Sequence, residues 1–166
     1  MPDLTVETGS NVTGANSFIS LDDADTYFEN RGDTTWSAAS DGSKEEALVR
    51  AVDYMDSLRW KGYRTNETQP LCWPRSGVKD KDGYSIDIDD IPQAVKDAQC
   101  EAAKRELTSG TLQPDIDAGG QPIMEKVDVI TVQYAKGARS RKEFTKVLEK
   151  LKGLIYSDTV VELVRC

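Results

Sequence analysis

The chain has 166 residues, with 21 lysines and arginines against 29 aspartates and glutamates, no histidine, and a formal net charge of −8. That length fits one domain with a modest core, and the missing histidine removes the commonest general base and metal ligand. No run approaches the roughly 18 apolar residues of a membrane span.

The N-terminus, Met-Pro-Asp-Leu-Thr-Val-Glu, lacks the basic and apolar regions of a signal peptide, so a cytosolic protein is expected. Cys72, Cys100 and Cys166 are too scattered for a disulfide framework or a zinc site. They read as reduced thiols, with Cys100 packed on a helix.

Residues 1–17 are expected to form an extended N-terminal arm. A first helix is predicted over about Leu21 to Asn30, with Ser20 as N-cap, Asp23 three residues on and Gly32 just past the end. Leu21, Ala24, Tyr27 and Phe28 mark its apolar face, and Phe18 and Ile19 before the cap are placed to pack back as a staple. Residues 33–42 read as a linking loop anchored by Trp36. Ser43-Lys44-Glu45-Glu46 has the form of a capping box. It opens a second helix to about Leu58, whose stripe is Ala47, Leu48, Ala51, Val52, Met55 and Leu58.

Residues 59–90 read as a long loop, and its stretch from Leu71 to Pro92 lacks a helical period yet carries Trp73, Val78, Tyr84, Ile86 and Ile88. Long loops without secondary structure are uncommon in compact domains, and disordered segments are poor in such side chains. This loop is therefore expected to be ordered, packed on its own domain or on another copy. Within it, Asp80-Lys81-Asp82-Gly83 has some calcium-loop character. Aligning Gly83 with the EF-hand glycine leaves Val78 at the first ligand position and Asp89 at the last, so a tight turn is the better reading.

Pro92 opens a third helix through Ala94, Val95, Ala98, Ala102 and Leu107, ending at Ser109-Gly110. Asp89 and Asp90 suit the positive end of its dipole. A second long loop follows, with Pro114, Gly119, Gly120 and Pro122. From Glu125 to Tyr134 the period changes to two, with a change of phase between Val129 and Ile130 that predicts a bulge or twist in one long strand. Its pairing partner is sought among Leu4–Glu7, Tyr84–Ile88, Val160–Val164 or a second subunit. A fourth helix is predicted from Arg141 to Ile155, with Phe144, Val147, Leu148, Leu151 and Leu154 inward. Residues 157–166 hold Val160-Val161-Glu162-Leu163-Val164, too apolar for a free tail, and read as a docking segment.

Together these elements predict a mainly α single domain, 1–166, built as a small bundle of about four helices with a minor β-strand or hairpin element and long extended loops. Charge is uneven along it. Residues 1–30 carry no lysine or arginine, whereas Lys136, Arg139, Arg141, Lys142, Lys146, Lys150 and Lys152 face only Glu143 and Glu149. Such a basic segment suits either an acidic neighbouring surface or nucleic acid. Gly119-Gly120 lacks a P-loop lysine, and no serine or cysteine has a histidine base. No active site, metal or cofactor is expected. Trp60, Lys61, Arg64, Trp73 and Arg75 interleave aromatic and basic groups, the combination that binds single-stranded nucleic acid by stacking and phosphate contacts. The alternative is that the tryptophans are core anchors and the arginines pair with nearby acids.

Arg59-Trp60-Lys61-Gly62, Gln69-Pro70-Leu71-Cys72-Trp73-Pro74-Arg75-Ser76-Gly77-Val78, Asp82-Gly83 and Ile91-Pro92-Gln93-Ala94 resemble a family of small tailed-phage proteins. Its members are labelled DnaT-like single-stranded-DNA-binding and sit among head and tail structural proteins. The chain is also similar to phage head–tail adaptor (connector, head-completion) proteins. The resemblance runs from Ser17 to about Tyr156. It implies an adaptor-like fold and a virion structural protein of the neck, made in the host cytoplasm, with a ring of about twelve copies as the assembly. The implied partners are other copies of itself, the portal protein and the tail or a second connector, with DNA passing through the channel and no membrane. In that setting Leu148, Leu151, Ile155 and Leu163 are the expected portal or neighbour contacts. The competing implication is a single-stranded-DNA-binding replication accessory protein.

Overall fold

The computed structural model describes residues 3–110, 112, 124–127, 130–133 and 144–156, and within them the chain is mainly helical, as its periodicities predict. α1 (Leu21–Glu29) starts where Ser20 accepts the Asp23 amide and donates its hydroxyl to the Asp23 carboxylate at 2.7 Å. The cap satisfies an amide that no backbone carbonyl of the helix can reach. Phe18 and Ile19, just upstream, are both buried.

A short α2 (Thr34–Ser37) occupies part of the predicted linking loop. Asp33 caps it by receiving the Thr35 and Trp36 amides. Trp36 is the anchor: its ring stacks on Phe28 at 4.4 Å and its indole N–H donates to Asp25. α3 (Asp41–Asp56) begins before the predicted capping box. Ser40 rather than Ser43 is the N-cap, its hydroxyl accepting the Ser43 amide. Lys44 reaches Asp25 at 3.0 Å and Asp41 at 3.6 Å from inside the first turn, which ties the helix start to α1.

After α3 the chain makes β1 (Tyr63–Arg64) and β2 (Arg75–Ser76), paired antiparallel with Arg64 opposite Arg75. α4 (Gln93–Ser109) follows, with Pro92 at the N-cap position and Gly110 at its C-cap. No side chain caps it.

α3 and α4 pack directly on one another. Ala47, Leu48, Ala51, Val52 and Met55 from one helix and Val95, Ala98, Ala102 and Ala103 from the other are all buried. Alanines let the two backbones approach closely, so this pair forms the centre of the core. Buried Gln99 ties the N-terminal segment to it. Its amide donates to Ser17 Oγ at 2.8 Å and to the Leu48 carbonyl at 3.0 Å, while its oxygen accepts the Phe18 amide.

Residues 3–17 are not an extended arm. Val6 bridges Ser17, and the buried Glu7 carboxylate receives the amides of Gly9, Asn11 and Val12 at 2.8–3.0 Å. A charge buried by itself would be costly; three amide donors make this one a clamp that folds the segment back.

The predicted strand over 125–134 is two strands. β3 (Met124–Val127) pairs antiparallel with β4 (Ile130–Gln133), Val127 opposite Ile130. The change of phase in the sequence marks the reversal of a hairpin, not a bulge, and each strand is the other's partner. α5 is shorter than predicted, Thr145–Lys150, with no side-chain cap at Phe144 and with Gly153 at φ 101° just beyond it. Residues 141–143 and the docking segment 157–166, including Leu163, lie outside the described residues.

Candidate nucleic-acid interface

The 59–90 segment is ordered by its own polar groups, and its described contacts are with its own domain. The Gln69 amide donates to the Leu71 and Pro74 carbonyls, and its oxygen accepts the Asn66 amide. Asp56 accepts the Cys72 amide at 3.0 Å. Leu71, Cys72, Trp73, Val78 and Ile91 are buried in the common core. The Trp73–Pro74 peptide is cis. Further on, the Asp80 carboxylate accepts the Asp82 and Tyr84 amides, and Lys79 bridges Ser85. The Asp-Gly stretch is thus a tight turn, as expected.

Within this segment the aromatic and basic groups of the Trp-Pro-Arg-Ser-Gly block are turned inward. Trp73 has no exposed surface, and Trp60, 8% exposed, meets it edge to face at 5.8 Å. The Trp60 indole donates to the Met55 carbonyl. Arg75 is 9% exposed. Its guanidinium spreads over three carbonyls: Nε to Lys61 at 2.7 Å, Nη2 to Gly62 at 2.8 Å and Nη1 to Cys72 at 3.0 Å. A planar fork with fixed donors suits that task, which an ammonium on a flexible stem does not. Burial lowers the Arg75 pKa, and the charge of Arg64 adds to that shift while Cys72 opposes it.

Three of the five residues expected to contact DNA are therefore internal. Trp60, Trp73 and Arg75 cannot stack on bases or hold phosphates, because their surfaces are used up inside the fold. The core-anchor alternative holds for the tryptophans. Arg75 departs from both readings, pairing with backbone carbonyls instead of an acidic run.

Lys61 is half-buried and Arg64 exposed. The structure gives them neighbours that the sequence does not reveal. Residues 154–156 run beside 59–61: Trp60 forms an antiparallel bridge with Ile155, Lys61 N–H donates to the Leu154 carbonyl at 2.9 Å, and Tyr156 N–H donates to the Arg59 carbonyl at 2.8 Å. Arg59 lies over the Tyr156 ring at 5.6 Å. Arg64 stands opposite Arg75 across the β1–β2 pair, and opposite residues project to the same face of such a ladder.

Arg59 thus lies against the 45%-exposed Tyr156, and Arg64 stands across the strand pair from the buried Arg75. Many cations of the molecule are paired: Lys44 with Asp25, Arg50 with Glu106, Lys104 with Asp33, Lys146 with Glu101, Lys150 with Asp97 and Lys152 with Glu149. Arg59, Lys61 and Arg64 have no carboxylate salt-bridge partner among the described residues. This leaves cationic and aromatic groups together at the surface, and Arg59 and Tyr156 are the members that linear motif reading misses.

The expected portal or neighbour contacts fare differently. Leu151 has no exposed surface and belongs to the chain's own core; Leu148 and Ile155 are half-buried. The part of this region formed by Val147, Leu151 and Leu154 is filled by the chain's own domain. Lys136, Arg139, Arg141 and Lys142 lie outside the described residues, whereas Lys146 and Lys150 serve to dock α5 on α4. Cys72 and Cys100 are both buried, and burial pushes both thiols up, Asp56 adding to the shift of Cys72 and Asp97 to that of Cys100. No described helix is long and apolar enough to cross a membrane, and no group of described His, Cys, Asp or Glu side chains is placed to hold a metal.

The family model described as "Putative DnaT-like ssDNA binding protein" matches residues 2–166. The chain belongs to that family. No curated protein and no solved structure matches it.

Proposed function

We propose that this protein binds single-stranded DNA, without base specificity, through the face made by Arg59, Lys61, Arg64 and Tyr156. The observation that carries the reading is that Arg59, with no carboxylate partner among the described residues, lies over the exposed ring of Tyr156, close in the chain to Lys61 and Arg64. Phosphates are attracted to the first and bases stack on the second. The family description points the same way. No chemical step is assigned to the face; it is a binding surface.

The test is fluorescence anisotropy with a labelled oligothymidine at low and moderate salt. Micromolar binding that falls steeply with salt is expected. Arg59→Ala, Arg64→Ala and Tyr156→Ala should each weaken it, and the Tyr156 variant should leave the salt slope unchanged because a ring releases no counterion. No binding at low salt would overturn the proposal.

A second reading is favoured by the net charge of −8. A ring of such subunits, about twelve around a portal, would repel DNA passing through it and so keep the channel clear. Joining the portal to the tail is the role that the resemblance to phage adaptors implies. Copurification of the chain with a portal ring, together with absence of oligonucleotide binding, would select this reading over the first.

A further inference from the structure

The face described above is built from two segments far apart in the chain, 59–64 and 154–156, held together by backbone hydrogen bonds. The second segment is the continuation of α5, and α5 cannot stand by itself. Its six helical residues are far too few for a helix to persist without packing. Three groups hold it on the domain. Val147, Leu151 and Leu154 are buried. Lys146 Nζ meets the Glu101 carboxylate at 2.8 Å, and Lys150 Nζ meets Asp97 at 2.9 Å. Both acids sit on α4, and Glu101 is further fixed by the Tyr27 hydroxyl at 2.8 Å. Gly153 then turns the chain beside Lys81 and delivers Leu154, Ile155 and Tyr156 to Trp60 and its neighbours.

We propose that docking of α5 on α4 assembles the binding face, so that single-stranded DNA binds the docked form alone and in binding stabilises it. The inference rests on the single-stranded-DNA reading. Undocking withdraws Tyr156 from Arg59, and with it the stacking ring. Apparent affinity then scales with the docked fraction. By linkage, DNA must strengthen the docking as much as docking strengthens DNA binding. Lys146, Lys150, Asp97 and Glu101 are positioning residues here; none of them needs to touch the DNA.

Charge bookkeeping makes the test decisive. Asp97→Asn removes one negative charge from a chain of net charge −8, so simple electrostatics expects binding that is unchanged or tighter. Undocking expects weaker binding, about threefold or more, with the helical circular dichroism signal largely retained. Lys150→Met and Lys152→Met remove the same charge from the same region. Among the described residues Lys152, just past α5, pairs with Glu149 alone. Lys150→Met should weaken binding severalfold, Lys150→Arg should restore it, and Lys152→Met should stay within about twofold, the loss of one screened surface charge. With the wild-type chain, oligothymidine should slow hydrogen exchange at the Lys61 and Tyr156 amides.

Equal effects of Lys150→Met and Lys152→Met, unchanged or tighter binding by Asp97→Asn, or unchanged exchange at those two amides would overturn the coupling. If Arg59→Ala and Tyr156→Ala leave binding intact, it is the reading of the face itself that falls.

Discussion

Arg75→Met is the most informative single change, because it separates a structural arginine from a DNA-contacting one. The substitution keeps much of the stem volume and removes all five N–H donors. Three carbonyls lose their partners: those of Lys61, Gly62 and Cys72, now bonded at 2.7, 2.8 and 3.0 Å. A hydrogen bond to a charged group contributes about 1.5–3 kcal/mol, and a buried acceptor left unpaired costs about 1–3 kcal/mol. The bonds to Lys61 and Gly62 are only partly buried, so water can replace them; that to Cys72 is buried. The expected loss is therefore that of one or two bonds and not three, about 2–5 kcal/mol. Urea denaturation followed by circular dichroism measures it directly. Arg75→Lys should recover part of the loss, since one ammonium cannot span three acceptors. Where Arg75→Met is still folded, oligothymidine affinity should change less than about threefold, against larger losses for Arg59→Ala and Arg64→Ala. A change in stability below about 0.5 kcal/mol, the level of an ordinary surface substitution, with a large loss of affinity, would show that the guanidinium serves DNA and not the fold.

Gly62→Ala should destabilise the protein by more than about 2 kcal/mol, read as a lower urea midpoint, because Gly62 has φ 66° and an added Cβ would collide with the Ser76 carbonyl oxygen and the Val78 side chain. The Lys104 ammonium holds the Asp33 carboxyl below its ordinary value of 3.8. A depressed carboxylate contributes stability above its unfolded pKa and loses it as pH falls through the folded one. Asp33→Asn should therefore be less stable than wild type near neutral pH, and the gap should close below about pH 4, measured by thermal melts across pH. Cys72 and Cys100, buried and with raised thiol pKa values, should resist iodoacetamide until denaturant opens the fold, as mapped by peptide mass spectrometry.

What the sequence by itself determined is local. The stripe from Ala47 to Met55, the Ser20–Asp23 cap, the helix between Pro92 and Gly110 and the Asp80–Gly83 turn are all encoded within a few residues of where they act. A period or a cap is a short-range property, so these could be read directly from the chain. The same holds for the β segment near 124–133, whose period was legible; its reversal was not, because a phase change has the same pattern in a bulge and in a hairpin. Other features depend on atoms distant in the chain. Trp73 and Arg75 carry the composition of a stacking surface, yet the carbonyls of Lys61 and Gly62 and the edge of Trp60 claim them for the interior. Ser40, and not Ser43 of the Ser43–Glu46 capping pattern, takes the cap, beside a helix start tied to Asp25 by Lys44. Arg59 and Tyr156 meet only because α5 docks on α4 and carries its C-terminal end back to the exit of α3. Burial and pairing are settled by which surfaces meet in three dimensions, and side-chain chemistry alone does not specify which face of a residue remains in water.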